Sequence, residues 1–233
     1  MLVYGKNSCF EILNDDKNAK NIKKVYLDRN FSEKSIIGLI EKRNLNPFFY
    51  TNSELSTLAN GNHQGIILDI GEFKYSDIDD IITDNGFIVM LDHLEDTHNF
   101  GAIIRTCEAA GVDGIIIPKD RSVSVNSTVM KTSSGACSNF KICMVTNLRE
   151  TIKYLQDKGY WIVTTDMDGD NYTKVDYKDK TCIIIGNEGD GVSSLVKKSS
   201  DYIVSIPMKG KINSLNASVA AGVLIYEVVR QRS

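Results

Sequence analysis

Short apolar runs alternate with helical stripes along most of this chain. In the first third, KVYLD (24–28) alternates as a strand does, and Ile36, Ile37 and Ile40 share one face of a helix over 33–43. PFFYT (47–51) and GIILDI (65–70) read as further strands, 8–13 as a helix, and 52–58 as a short helix capped by Asn52 or Ser53. Beyond residue 85 the pattern becomes regular. Strands are predicted over 87–91, 114–117, 142–145, 161–165, 181–185 and 202–206, with helices over 99–110, 125–133, 148–158 and 214–230. Near-continuous Ile and Val strands between helices predict an α/β fold with a largely parallel sheet covered on both faces. The acidic, turn-rich stretch GEFKYSDIDDIITDN (71–85) separates two differently patterned halves. The division this suggests is a small α/β domain over 1–71, a linker over 72–85, and a larger domain over 86–233.

Composition narrows the picture. Five cysteines occur, an odd count with no C-x-x-C pair, and His63, His93 and His98 form no ligand cluster with them. That argues against a disulfide framework and against a zinc or other metal site, and reduced thiols suit a cytoplasmic protein. The start, MLVYGKNSCFEILNDD, lacks the charged and apolar regions of a signal peptide. The longest apolar stretch, 217–229, is interrupted by Ser218, Gly222 and Glu227 and reads as a buried helix, so no membrane partner is expected. The net charge of −3 gives no general support for nucleic-acid binding. It is unevenly placed: 1–70 carries nine basic and eight acidic residues, and 71–233 carries 18 and 22.

Three segments, each following a predicted strand, carry unusual polar residues. Ligands of parallel sheets sit at such carboxyl ends. The first is LDHLEDTHNFGAIIRTCEAAG (91–111), where Gly111 is placed to end a helix in the left-handed conformation. Gly101, Arg105 and Glu108 lie on one face. An arginine early in a helix opposes the helix dipole and suits an anionic partner such as phosphate, although for this segment alone an exposed Arg105–Glu108 surface pair is the better reading, since charged helix faces are usually just solvated. The second, IIIGNEGDGVS (183–193), is a G-x-x-G-x-G loop rather than a dinucleotide or P-loop fingerprint. Its central Glu188 repels phosphate and suits a cationic ligand or a ribose hydroxyl. The third, IPMKGKINSLNASVAAGVLIYEVVRQR (206–232), places Ser214 and Asn216 at a helix start, where they also serve simply as caps.

Together, in this order, the segments resemble the three motifs of the SpoU (TrmH) family of RNA ribose 2′-O-methyltransferases. The matching residues are Asn99, Gly101 and Arg105, then Gly186, Glu188 and Gly189, then Ile206, Pro207, Met208, Ser214, Leu215 and Asn216. IIIPKDRS (115–122), KTSSGA (131–136), VTNL (145–148) and GNHQG (61–65) resemble the branch that methylates a guanosine of large-subunit (23S) ribosomal RNA. Thr97 stands where that branch commonly has proline, Asn187 stands where small residues are frequent, and KNSCFEIL diverges.

The resemblance implies a C-terminal trefoil-knot (SPOUT) domain that works as a homodimer, preceded by a small ribosomal-protein-like domain that binds RNA. It implies S-adenosylmethionine as cofactor, gripped by backbone of Gly186, Ile206 and Leu215, with Thr165, Asp166, Asn187, Gly189, Met208 and Ala217 as neighbours. Arg105, Asn99, Glu188, Ser214 and Asn216 are then the catalytic set, and His63, Gln64, Lys119 and Arg121 are candidates for RNA contact. Within this reading a transfer-RNA ribose methyltransferase is the alternative, and a non-catalytic RNA-binding ribosome-assembly factor is a weaker one. A nicotinamide-dependent enzyme lacks its G-x-G-x-x-G turn.

Overall fold

The apolar alternation resolves into two compact units in the computed structural model, which describes residues 1–59, 61–212 and 214–233. One unit comprises 1–74 with 125–139, and the other 75–124 with 140–233.

The first unit runs β1 (Leu2–Tyr4), α1 (Lys6–Asn14), α2 (Asp16–Ala19), β2 (Lys24–Asp28), α3 (Lys34–Lys42), β3 (Pro47–Tyr50), α4 (Asn52–Leu58) and β4 (Ile66–Asp69). Its sheet order is β1-β4-β2-β3, antiparallel except for β2 beside β3. Ile36 and Ile40 of α3 and Ile12 and Leu13 of α1 are buried, as the helical spacing requires. The cap of α4 is Thr51 rather than Asn52 or Ser53. Its hydroxyl and the Glu54 carboxylate form a reciprocal capping box, a T-x-x-E pattern masked by the β-branched end of PFFYT.

The second unit carries β5 (Phe87–Asp92), α5 (Thr97–Ala109), β6 (Gly114–Pro118), β7 (Ile142–Val145), α7 (Leu148–Asp157), β8 (Trp161–Asn171), β9 (Thr181–Gly186), α8 (Ser194–Lys197), β10 (Tyr202–Ser205) and α9 (Ala217–Arg232). The remaining helix, α6 (Ser127–Thr132), lies in 125–139 and packs against β1 of the first unit, although it falls between β6 and β7 in the chain. Residues 75–85, expected as linker, belong to the second unit. Ile81 is fully buried in its core, and the Ser76 amide donates to the Ile142 carbonyl at 2.8 Å.

All pairs in the second sheet are parallel, in the order β10-β8-β9-β5-β6-β7. Ile88, Met90, Ile116, Cys182 and Ile184 face Leu148, Ile152 and Leu155 of α7. Strand alternation turns Val89, Leu91, Ile115, Ile117, Ile183 and Ile185 to the other side, where they are equally buried. Burying each such side chain contributes about 1.5–3 kcal/mol. The chain crosses from β7 to β8, so the order reverses between β5 and β9, and the carboxyl ends there form a switch point.

β8 is twice its predicted length. It pairs with β10 at Thr164–Ile203 and again at Asp170–Val204, so residues 165–169 bulge out between adjacent β10 positions. Gly169 permits this, because a Cβ there lies 2.6 Å from the Val204 carbonyl carbon and 2.7 Å from its nitrogen. The alternating pattern that predicts 161–165 cannot register a strand that leaves the sheet and returns.

Gly169→Ala is expected to destabilise the protein by about 1–3 kcal/mol, the range for overpacking against atoms that cannot move aside. Thermal unfolding checks this, with Tm falling roughly 2–4 °C per kcal/mol; an unchanged Tm means that the bulge re-forms without glycine.

Candidate active site

The loops after β5, β9 and β10 meet at one carboxamide. α5 starts at Thr97, two residues earlier than predicted, because Asp96 caps it by accepting from the His98 amide at 2.6 Å. Asn99 therefore sits in the first helical turn, and it is buried. Its Nδ2 donates to Glu188 Oε1 at 2.7 Å, and its Oδ1 accepts from Asn216 Nδ2 at 3.0 Å. One residue of each sequence segment is thus joined directly. Asn216 in turn is the N-cap of α9, accepting from the Ser218 and Val219 amides at 3.0 and 3.4 Å. The helix begins at Ala217, not Ser214, and Ser214 lies exposed ahead of the cap.

Glu188 rides on a small closed loop. Asn187 and Gly191 exchange backbone hydrogen bonds at 3.1 Å each, and Asn187 Oδ1 accepts from the Gly189 and Asp190 amides. A Cβ on Gly186 meets the Gly191 carbonyl carbon at 2.2 Å and the Val192 nitrogen at 2.3 Å, so only glycine lets β9 end against its own returning loop. Asn187 Nδ2 donates to the His93 carbonyl at 3.0 Å, which ties this loop to the end of β5. Asn187, expected beside a cofactor, has its carboxamide engaged in building the loop.

Other expected residues are placed as follows. Thr165 Oγ1 donates to the Ile184 carbonyl at 3.1 Å. Asp166, in the β8 bulge, pairs with Lys197 of α8, whose ammonium holds its carboxyl below the usual carboxylate range despite partial burial. Ile206 is half-buried, Met208 and Leu215 are exposed, and Ala217 is buried at the start of α9. Gly189 is exposed at the tip of its loop. Arg105 is exposed, six residues beyond Asn99 and so about 120° away around α5. Among the described residues, 206–212 and 214–215 make no backbone–backbone hydrogen bond, which leaves main-chain donors and acceptors available to a ligand.

Of the candidate RNA contacts, His63 is not at the surface. It is buried, its Nδ1 accepting from the Gly65 amide at 3.0 Å and its Nε2 lying 3.1 Å from Ser56 Oγ, so it holds the GNHQG turn. Gln64 accepts from the Lys6 amide at 2.8 Å. Sequence reasoning missed Asp92. This buried carboxylate lies 2.6 Å from His93 Nδ1 and accepts from the Ser193 amide at 2.7 Å. The signal was an aspartate ending an otherwise apolar strand. All five cysteines are buried and reduced, and burial pushes each thiol up, to about 12 for Cys137 and Cys143, so none is a ready nucleophile. Among the described residues no cluster of three or more His, Cys, Asp or Glu is placed to hold a metal. No helix there is long and apolar enough to cross a membrane.

Known proteins resemble this chain in sequence and fold. The profile of the SpoU rRNA Methylase family matches residues 86–226, and that for RNA 2′-O ribose methyltransferase substrate binding matches residues 2–76. The "Putative TrmH family tRNA/rRNA methyltransferase YacO" of Bacillus subtilis is 36% identical, over 99% of this chain and 96% of its own length. The structure of the SpoU methyltransferase AviRb from Streptomyces viridochromogenes, in complex with AdoMet, superposes with a TM-score of 0.87. It is 26% identical and covers 100% of this chain and 90% of that one. The TrmH/SpoU tRNA modifying enzyme of A. aeolicus is 30% identical over 66% of this chain and 78% of that one, with a TM-score of 0.58. The C-terminal unit has the SPOUT methyltransferase fold, with a substrate-binding domain before it.

Asn99→Asp places a second carboxylate against Glu188, and two carboxylates this close do not both stay ionised. Their shared proton is bound more tightly folded than unfolded. Stability is therefore retained at low pH and lost as pH rises through the raised folded pKa. The variant should be about 1–3 kcal/mol less stable than the parent at pH 8, with a smaller deficit at pH 5. Urea unfolding at both values checks this, and a pH-independent deficit means that the Asn99–Glu188 contact is not made.

Proposed function

This chain belongs to the SpoU rRNA methylase family, and from that premise we propose that it transfers a methyl group from S-adenosylmethionine to a ribose 2′-hydroxyl of RNA, its target a guanosine of 23S ribosomal RNA. The observation that carries this reading is the junction of Glu188, Asn99 and Asn216 by direct hydrogen bonds. These three side chains come from three segments distant in the chain.

The backbone groups left open along 206–212 and 214–215 and the close turn at Gly186 fit a cofactor with an adenine and a ribose. Gly186, Ile206 and Leu215 hold it, and the Asp166 bulge, the Asn187 loop with Gly189, Thr165, Met208 and Ala217 shape the walls. The bound sulfonium supplies an activated methyl. The protein's part is to position the ribose oxygen in line with it and to stabilise the charge that oxygen develops. Alignment of this kind is worth up to roughly 7–11 kcal/mol. Arg105 stays protonated, so it is not a literal base. It clamps the RNA phosphate and stabilises the emerging alkoxide. Asn99 fixes Glu188 and Asn216, and Ser214 completes the polar wall.

The chain works in the cytoplasm as a homodimer. Val219 and Tyr226 are each half-exposed and lie seven residues apart, on one face of α9. A second copy covers such a stripe, and Arg105 of one subunit then serves the cofactor of the other. Ribosomal RNA is favoured over transfer RNA by the N-terminal substrate-binding domain and the PKDRS stretch.

The test is transfer from labelled S-adenosylmethionine to total RNA, followed by mapping of the modified nucleotide. One modified ribose in large-subunit ribosomal RNA is the expected result; a modified transfer RNA replaces the substrate and keeps the chemistry. Arg105→Ala should lower the transfer rate by at least about 100-fold, the loss seen when one charge-stabilising donor is removed. Its cofactor affinity, read by calorimetry, should hold; equal loss of both makes Arg105 a structural residue.

A further inference from the structure

The carboxyl edge of the second sheet holds a cleft of about 240 Å³ beyond the ends of β5, β6 and β7. Pro118, Leu148 and Val196 form a buried apolar floor, and His93, Arg121 and Arg149 stand on the wall. The volume falls below the roughly 300–1,000 Å³ of pockets that enclose drug-sized molecules. It suits one nucleotide unit rather than a whole cofactor.

Two observations single this cleft out. Among the described residues, neither the Arg121 nor the Arg149 guanidinium has a hydrogen-bond or ion-pair partner, yet both line the same small space. Asp120 is the one other exposed charge on the lining. The exposed charges of the lining are thus two guanidinium groups against one carboxylate, an excess of positive charge that suits an anion. Guanidinium groups match phosphate oxygens in shape as well as charge.

The second observation is in the backbone. Among the described residues of this unit, the non-glycine residues with positive φ are His93 (56°) and Arg121 (51°), and both line this cleft. Side chains with a Cβ adopt that region only where the surroundings impose it, and such residues gather at ligand sites. His93 is held by the buried Asp92 through Nδ1 and by Asn187 Nδ2 at its carbonyl. Asn187 adjoins Glu188, so the cleft and the Asn99 cluster share one hydrogen-bonded wall.

We propose that this cleft is a phosphodiester subsite for RNA, seating a nucleotide next to the one whose ribose enters the Asn99 cluster, with Arg121 and Arg149 as its phosphate ligands. The proposal rests on the RNA methylation proposed above.

Full-length Arg121→Ala/Arg149→Ala, the corresponding double lysine variant and the parent should be compared for binding to total RNA across salt concentrations. Methyl-transfer KM and kcat and cofactor affinity should be read on each. The alanine variant is expected to bind RNA about tenfold more weakly near 0.1 M salt, and its slope of log affinity against log salt to fall by about 1–2. KM should rise with cofactor affinity unchanged, and the lysine variant should keep most of the slope. An alanine variant with the parent's slope and KM overturns the subsite. So does combined loss of RNA binding, cofactor affinity and Tm that lysine does not restore. Inorganic phosphate binding to the parent but not to the alanine variant, with equal RNA slopes in both, marks a small-anion site and overturns the RNA assignment. A parent that neither binds nor methylates RNA removes the proposed function, and the subsite with it; an active parent with unaffected variants removes the subsite alone.

Discussion

The site depends on a directed chain of hydrogen bonds through two carboxamides. Amides at the start of α9 donate to Asn216, Asn216 donates to Asn99, and Asn99 donates to Glu188. Each link has a donor on one end and an acceptor on the other, which is what a carboxamide offers and neither a carboxylate nor a hydroxyl supplies at that reach. The chain begins at the positive end of a long helix and ends on an anion. Every dipole along it points the same way, so each bond polarises the next. This fixes the direction of a carboxylate that is otherwise exposed on a glycine-rich loop.

That chain requires three distant loops at one place, and the parallel sheet provides it. β5, β9 and β10 all deliver their carboxyl ends to one edge, and the order reversal between β5 and β9 opens the crevice there. The approach is close enough to dictate residues. Gly186 and Gly169 each lie where a Cβ meets neighbouring backbone at under 3 Å. Buried Asp92 does the complementary polar work, accepting from the Ser193 amide and pairing with the His93 ring where β5 runs out of strand partners. Such a carboxylate is tolerated only because both oxygens are engaged.

Much of this was legible from periodicity. Apolar spacing located every described strand but the three-residue β1, and the long helices, and the three polar segments were read at the strand ends where the structure gathers them. What periodicity could not give is partnership. Asn187 and Asn99 look alike as polar loop residues, but one folds its own loop and the other joins the three segments. Helix starts shifted for the same reason: Asp96, Asn216 and Thr51 became caps because of amides that only the fold presents. The segment 125–139 shows the same limit on a larger scale. Its helix was readable, but a local pattern does not say which core a helix joins, and this one clusters with the N-terminal unit. His63 reads as a candidate RNA contact by residue type, whereas its ring satisfies a turn that leaves Gly65 at φ 84°.

Net charge is the remaining tension, since a chain at −3 is set to act on a polyanion. The structure resolves it by position. Long-range attraction from a basic surface speeds encounter and gives affinity without register. An RNA methyltransferase needs register more than general affinity, because a reacting atom displaced by an ångström loses its alignment. A few side chains placed by the fold serve that need better than many cations on flexible stems. The backbone at Arg121 is left-handed, and the His93 ring is held by Asp92 beneath it.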